Sequence, residues 1–464
     1  MTEAVARALN IKREELPLAF LAVAFFFCVL CGYYFLRPVR DAMGVSRGMD
    51  ELRWLFVGTS LVSLILVLAF GGVVARTNRR RFIPVAYLFV ILCLFGFSAM
   101  LVADAAAGGG LIGTDAETTV ARVVGYVFFV WLSAINLFVT SVFWAFMVDV
   151  FDVDQGKRMF AFIGIGGTLG ALVGGSATNV VSGMTDSVYL PAGLMMTGAA
   201  LFGLAIVVML TLDRWAVVSQ HSRLTAGVPS SGGGDAGASV RGEIGGTFWE
   251  GARAVATSPY LLGISAYIVL MAIANTLIYF TQANVIFENT DTFSQRVAGF
   301  AQFDMLAQIA TLFTQVFVTT RVIKRVGVGW TLAILPLVTM AGFASLAIWP
   351  LYGVMAVFQA LHRATRYAMS RPARETLFSV VSPAEKYKAK PVVDVFVYRG
   401  GDVAGAGVDG LFAALGMTLA GVAAATVPVV GAWATLCVGL GRAQQRRVES
   451  QEAVVDPEPI PSPV

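Results

Sequence analysis

Charged side chains are scarce in this chain: they make up 13% of its 464 residues, while 57% are hydrophobic. About a quarter of the residues in a typical soluble domain are charged, so this composition excludes an ordinary soluble fold. Apolar runs long enough to cross a lipid bilayer recur along the whole sequence. Since only helices and closed barrels satisfy their backbone in lipid, the length of these runs predicts an all-α polytopic membrane protein.

Histidine, cysteine and nucleotide-hydrolysis motifs are equally sparse. The two histidines, His221 and His362, have no second ligand at metal spacing, so no metal site is predicted. The four cysteines lie inside apolar runs and are predicted to be packing residues, not a disulfide framework. The chain has no Gly-x4-Gly-Lys-Ser/Thr loop, which excludes ATP hydrolysis through such a site. We therefore expect no cofactor and no enzymatic activity.

Hydropathy predicts twelve membrane-spanning helices, an even number that places both termini on the same side of the membrane. The glycine-rich run from Gly164 to Gly170 falls inside the fifth span, where close helix packing explains it better than a dinucleotide-binding loop. The predicted spans are 18–40, 54–75, 82–104, 120–150, 158–182, 189–212, 258–287, 297–320, 329–349, 352–381, 391–416 and 419–441.

Basic residues are distributed unevenly over the loops between these spans. One set of loops and termini holds 22 of the 33 Lys and Arg residues, whereas the opposite loops hold four. The positive-inside rule then places both termini in the cytoplasm. The net charge of +4 is explained by this topology and predicts no nucleic-acid partner.

The polar stretch in the middle of the chain divides it into two six-helix halves. We predict an N-terminal bundle at 1–212, a flexible cytoplasmic linker at 213–257, a C-terminal bundle at 258–442 and a disordered cytoplasmic tail at 443–464. Basic residues followed by glycines recur at matching places: Gly166, Gly167 and Gly170 in the first half, and Gly400, Gly401 and Gly405 in the second. Two parallel six-helix repeats are the arrangement of the major facilitator fold.

Charge inside a span is costly and usually marks a ligand path. Tyr33, Arg37 and Arg40 of the first span are spaced i, i+4 and i+7, so they share a helical face that would suit a bulky anion. The tenth span carries four arginines, at 363, 366, 371 and 374, within an arc of about 140° until Pro372 perturbs the helix axis. Arginine binds phosphate and carboxylate groups through two parallel hydrogen bonds, which favours an anionic ligand.

Seven arginines and five carboxylates lie on or near these spans, which leaves a positive excess. The alternative is internal pairing, such as Arg371 with Glu375 or Arg37 and Arg40 with Asp41, in structural clamps or gates. The predicted substrate-binding residues are Tyr33, Arg37, Arg40, Arg363, Arg366, Arg371, Arg374, Tyr398 and Arg399. The predicted coupling or gating residues are Asp41, Asp149, Lys157, Asp304, Glu375, Asp394 and Asp402.

Three segments carry a family resemblance: Tyr33 to Asp41, Phe143 to Arg158, and Arg371 to Glu375 followed by the lysines up to Lys390. Together they resemble the ATP/ADP translocase family of plastids and intracellular bacteria, and most closely its free-living bacterial branch. The family exchanges nucleotides without hydrolysing them. Its eleventh-span Gly-Lys-Ser-Gly-Gly segment reads Tyr-Arg-Gly-Gly-Asp at 398–402 here, so the family lysine is replaced.

The resemblance implies a secondary transporter working by alternating access, with a nucleotide or another phosphorylated metabolite bound between the halves. Its implied partners are a small anionic solute and membrane lipids, and its implied location is a bacterial inner membrane, as a monomer. One alternative is a proton-coupled permease or exporter of an organic anion, in which Asp402, Asp304 or Asp149 carries the proton. Another is a non-transporting membrane sensor or a lipid-binding protein whose arginines bind headgroups.

Overall fold

A computed structural model of the protein describes residues 15–74, 79–109, 111–225, 248–318 and 327–455. Within these ranges all regular structure is helical and there is no strand. Eight helices in this part of the chain are long and apolar enough to cross a membrane. The predicted all-α membrane fold is therefore confirmed, and the four other predicted spans also fall on helices. The basic loop residue Arg76 and most of the predicted linker, 226–247, lie outside the described residues.

Six long helices form the first half of the sequence, and they match its six predicted spans in order. Several exceed the roughly 20 residues that cross the hydrocarbon layer, so they tilt or extend past it. Their bounds are α1 Leu16–Val45, α2 Met49–Val74, α3 Arg79–Ala106, α4 Thr119–Val150, α5 Val153–Met184 and α6 Leu190–Thr225.

The second half contains the other predicted spans, of which the tenth and eleventh are each interrupted by a wider π-helical turn. The helices are α7 Phe248–Thr257, α8 Pro259–Glu288, α9 Phe293–Phe317, α10 Val328–Ile348, α11 Tyr352–Thr365, α12 Arg371–Leu377, α13 Pro383–Pro391, α14 Tyr398–Ala414 and α15 Leu419–Val455. The π segments are π1, Arg366–Ser370, between α11 and α12, and π2, Val392–Val397, between α13 and α14.

The helices pack into two compact units. The first contains Met1–Gly242 together with Ala283–Gln308, and the second contains Glu243–Gln282 together with Ile309–Val464. The end of α8 and the first part of α9 therefore belong to the first unit, although they lie in the second half of the sequence. In the first unit the core surrounds α1, where Phe26 stacks on Phe143 of α4 with ring centroids 4.2 Å apart.

Glycines allow α5 to approach α1 at backbone distance in the first unit. A Cβ atom added to Gly166 would lie 2.5 Å from the carbonyl oxygen of Val23, and one added to Gly170 would lie 2.3 Å from that of Phe27. No side chain fits at such distances. The prediction that this glycine run serves helix packing is confirmed.

The second unit repeats this packing between α14 and α8. A Cβ atom on Gly401 would lie 2.6 Å from Cβ of Ala272, and one on Gly405 would lie 2.7 Å from Cβ of Thr276. Gly401 and Gly405 therefore allow two helices to approach closely in the second unit, as Gly166 and Gly170 do in the first. This agreement is what an internal six-helix repeat requires.

Two predicted boundaries differ from the structure. Helix α7 lies inside the segment predicted as a flexible linker, because its buried residues Gly251 and Val255 form a face that packs on α13. Helix α15 continues to Val455, past residue 443 where the sequence analysis placed the start of the tail. No helix-breaking residue interrupts that stretch, and Gln445 donates a hydrogen bond to Glu449 one turn later, at 3.2 Å.

Candidate functional site

Arg37 connects α1 to α9 in the first unit. Its Nη1 lies 2.9 Å from Oδ1 of Asp304, and its Nε lies 3.8 Å from Oδ2 of Asp41, one turn further along α1. Both acids are almost fully buried, with 2% of each side chain exposed. A buried carboxylate is tolerated only beside a compensating cation, so Arg37 and Asp304 depend on each other. The sequence predicted both residues, but the pairing between them comes from the fold.

Arg40 contacts the same carboxylate from the other side. Its Nε donates to Oδ1 of Asp41 at 3.0 Å, and its Nη1 donates to the hydroxyl of Ser133 on α4 at 3.1 Å. The guanidinium also lies over the ring of Phe129, 5.2 Å from its centroid. The alternative in which Arg37 and Arg40 pair with Asp41 is therefore confirmed as a contact.

The first-unit cluster, defined as Arg37, Arg40, Asp41 and Asp304, holds two cations and two anions. Its charges balance internally, which is the least costly arrangement for ions at membrane depth. Tyr33, the third residue of the predicted face, is buried beside it with 6% of its surface exposed. The predicted positive excess is therefore absent from this cluster.

The tenth predicted span widens into π1 immediately before Pro372. Proline lacks an N–H and its ring clashes with the carbonyl four residues earlier, and a π turn relieves that clash. The N–H of Arg371 accordingly bonds the carbonyl of Arg366, five residues back. The extra residue shifts the register of everything after it by about 100° relative to an uninterrupted α-helix. Arg371 is exposed, while Arg363, Arg366 and Arg374 are half-buried.

The eleventh predicted span widens in the same way after Pro391, where π2 begins. Tyr398 is the first residue after π2, and its hydroxyl accepts a hydrogen bond from Nη2 of Arg366 at 2.7 Å. Arg366 is itself the first residue of π1. This hydrogen bond thus joins the first residue of π1 to the residue that follows π2, and π segments are frequent at functional sites.

The acids near this bond have other basic partners. Nη2 of Arg374 lies 3.6 Å from both Asp394 and Glu375, and Lys390 lies 2.5 Å from Glu375. The predicted partner of Glu375 was Arg371, whereas its ion-pair contacts in the structure are with Arg374 and Lys390. On α14, Nη1 of Arg399 donates to Oδ2 of Asp402 at 3.1 Å.

The second-unit cluster is defined by the arginines of the tenth and eleventh spans and the acids among them. Five arginines stand against three carboxylates in this set, so by formal charge it carries a positive excess. The hydrogen-bond partner of Arg366 is a neutral phenol, and the bond leaves its charge in place. The members are Arg363, Arg366, Arg371, Arg374, Arg399, Glu375, Asp394 and Asp402.

Two predicted gating residues lie apart from these clusters in the sequence. Asp149 is exposed at the end of α4, and the side chain of Lys157, near the start of α5, is outside the described part of the structure.

Sequence reasoning also missed three amides in the second unit: Asn275 and Gln282 on α8, and Gln359 on α11. Nε2 of Gln359 donates to Oε1 of Gln282 at 2.5 Å. Their positions inside apolar spans were a usable signal, but attention to charge alone passed over them.

Comparison with known proteins gives one family and one fold. The sequence model of the TLC ATP/ADP transporter family matches residues 3–443. ADP,ATP carrier protein 2, chloroplastic, from Arabidopsis thaliana is 20% identical over 417 residues, which cover 80% of this chain and 65% of the Arabidopsis protein. The chain thus spans less than two thirds of the length of that relative.

Solved transporter structures share the fold at low sequence identity. A mutant form of the nucleoside transporter NupG superposes with a TM-score of 0.58 at 15% identity, covering 93% of this chain and 99% of NupG. A bacterial homologue of the iron transporter ferroportin, in its inward-facing state, gives 0.61 at 12% identity, covering 92% and 99%. At these identities the likeness establishes the major facilitator fold and nothing about the transported solute.

Proposed function

Because this chain belongs to the TLC ATP/ADP transporter family, we propose that it is a secondary transporter that exchanges nucleotides across the membrane by alternating access. The Arabidopsis relative is named as an ADP,ATP carrier, which supports a nucleotide as the transported anion. Exchange of one nucleotide for another needs no hydrolysis. The membrane potential or the solute gradients then set the direction of net movement.

The observation that carries this proposal is the positive excess of the second-unit cluster. A nucleotide di- or triphosphate carries several negative charges, and guanidinium groups bind such phosphates in bidentate geometry. Arg366 suits this role because Tyr398 orients its guanidinium without neutralising it. We assign phosphate binding to Arg366 first, with Arg363, Arg371, Arg374 and Arg399 as the surrounding positive charges.

The first-unit cluster has a different role in this proposal. Its two arginines are already neutralised, so a phosphate would have to displace Asp41 or Asp304 to bind them. The 2.9 Å contact between Arg37 and Asp304 joins a helix of the first sequence half to one of the second. We therefore assign it to gating: it closes one conformation and must open for the helices to separate.

The orientation in the membrane follows from the loops. We propose that the protein lies in the plasma membrane of a bacterium as a monomer, with both termini in the cytoplasm. The uneven distribution of Lys and Arg residues over the two sets of loops supports the cytoplasmic position of the termini. The transported nucleotide would then be bound from, and released to, the cytoplasm at one stage of each cycle.

Transport in reconstituted liposomes tests the proposal. The purified protein is placed in liposomes that contain ADP, and uptake of labelled ATP is followed with and without the internal nucleotide. We expect uptake that depends on internal ADP and continues without an imposed proton gradient. Uptake of labelled dicarboxylates driven by a proton gradient, with no nucleotide uptake, would instead identify the organic-anion permease.

A further inference from the structure

We propose that Asn275, Gln359 and His362 form a second subsite, which recognises the base of the nucleotide whose phosphates the arginines hold. This inference rests on the proposed function and assigns a part of the ligand that the second-unit cluster does not address. The three residues come from α8 and α11 in the second unit.

The first observation is a group of buried polar atoms without partners. Among the described residues, both amide atoms of Asn275, Oε1 of Gln359 and Nε2 of His362 are buried and make no hydrogen bond. Gln359 is 4% exposed and His362 is 2% exposed. Leaving one buried polar group unsatisfied costs about 1 to 3 kcal/mol, so four such atoms on two neighbouring helices require an explanation.

Two hydrogen bonds between α8 and the α11–π1 segment show which positions along the two segments lie opposite each other. At one end the hydroxyls of Tyr267 and Ser370 lie 2.7 Å apart, and at the other Gln359 bonds Gln282 at 2.5 Å. The segments of α8 and α11–π1 between these bonds run antiparallel. Asn275 lies midway along the chain between Tyr267 and Gln282, which places it level with the middle of the opposite segment.

The middle of that segment contains His362 and Arg366. These residues are four apart, as neighbours on one helical face are, and Gln359 precedes His362 by three. At about 1.5 Å of rise per residue, His362 and Arg366 are separated by about 6 Å along the axis. Nε2 of His362 therefore belongs to a residue one helical turn from the arginine assigned to phosphate binding.

Two of these four atoms, the amide oxygens, cannot take a phosphate as their partner. The amide oxygens of Asn275 and Gln359 only accept hydrogen bonds, whereas a fully ionised phosphate has no donor to offer. A purine base has both kinds of group, because the amino group and adjacent ring nitrogen of adenine match the paired acceptor and donor of an amide. Neutral His362 adds one further donor or acceptor. The subsite thus suits a nucleobase, and adenine in particular.

Binding of ATP and of inorganic tripolyphosphate to the purified protein separates the two ends of the ligand. We expect Asn275→Leu and Gln359→Met each to weaken ATP binding by about tenfold, since each removes groups built to bond the base. Tripolyphosphate binding should change less than about twofold, because the proposal assigns the phosphates to the arginines. The matched control is Thr339→Val on α10, a buried polar residue that bonds only its own helix backbone, to Leu335 at 2.8 Å. It should change neither affinity.

A conservative variant of His362 separates loss of binding groups from misfolding of the protein. His362→Gln keeps a neutral donor and acceptor at the position, so it should retain ATP binding within about threefold, whereas His362→Phe should lose it. Equal weakening of ATP and tripolyphosphate, or no weakening of either, would overturn the subsite. If the wild-type protein binds ATP, GTP and tripolyphosphate equally, the subsite is wrong while phosphate capture by the arginines stands. If it binds none of the three, the proposed function fails as well.

Discussion

The two units share a helix-packing scheme and differ in how they hold charge. Glycines of α5 and α14 bring each of these helices against α1 and α8, respectively. On this common frame, α1 remains α-helical through Pro38, and its two arginines meet two buried acids. The helices beside Pro372 and Pro391 instead open into π segments, and five arginines exceed the acids around them. Balanced charge favours a gate, and unbalanced charge favours an anion site.

The largest effect should come from removing a carboxylate of the first-unit cluster. Asp304→Ala leaves Arg37 half-buried beside Asp41 alone, and breaking a buried ion pair costs about 3 kcal/mol or more. We expect a marked fall in the thermal unfolding temperature of the ligand-free protein. Glu375→Ala is the matched variant in the second unit, where the acid is 44% exposed, and it should cost under about 1 kcal/mol. Similar losses for both would remove the distinction between the clusters.

A smaller effect should follow from restoring a regular helix at π1. Pro372→Ala supplies the missing N–H and removes the ring clash, which permits an α-helical turn and rotates Arg374 by about 100° relative to Arg366. We expect ATP affinity to fall about tenfold in a binding assay, the size of one lost charge-assisted hydrogen bond.

Pro336→Ala provides the control for that variant. Pro336 lies inside α10 of the same unit, in a helix that continues as α-helix, so its loss should leave ATP affinity unchanged. If both proline variants bind ATP like the wild type, π1 does not position the arginines.

The smallest effect concerns the contact between α7 and α13. Nζ of Lys388 lies 2.7 Å from Glu250, and the two side chains are 36% and 49% exposed. Exposed ion pairs contribute about 0 to 1 kcal/mol. A double-mutant cycle with Lys388→Ala and Glu250→Ala, read by thermal unfolding, should therefore give a coupling energy below about 1 kcal/mol. A larger value would mean that the end of the linker is held more firmly than the other surface contacts.

The sequence was sufficient for the features that depend on local pattern. Hydropathy located the helices, and the glycine run from Gly164 to Gly170 predicted where helices approach closely. The cost of charge in lipid likewise identified Arg37, Arg40 and Arg366. These features can be recognised because each follows from one residue and its immediate neighbours.

Features that depend on residues far apart in the chain could not be predicted. The pairing of Arg37 with Asp304 joins positions on two helices that no periodicity relates. The π segments were also missed, because Pro372 signals a disturbance of the helix but does not say whether it kinks or widens. Asn275 and Gln359 were overlooked for another reason: uncharged amides give a weaker hydropathy signal than arginines do.

ATP binding by two matched variants tests the central claim most directly. Arg366→Ala removes the arginine held by a neutral phenol, whereas the double variant Arg37→Met with Asp304→Leu replaces a balanced ion pair by apolar side chains, a change that is often neutral for stability. The account predicts that Arg366→Ala weakens ATP binding by tenfold or more, from about 1.5 to 3 kcal/mol of lost bonding, and that the double variant binds ATP within about twofold of the wild type. Loss of binding in the double variant, with normal binding by Arg366→Ala, would contradict it and place the anion site at the first-unit cluster.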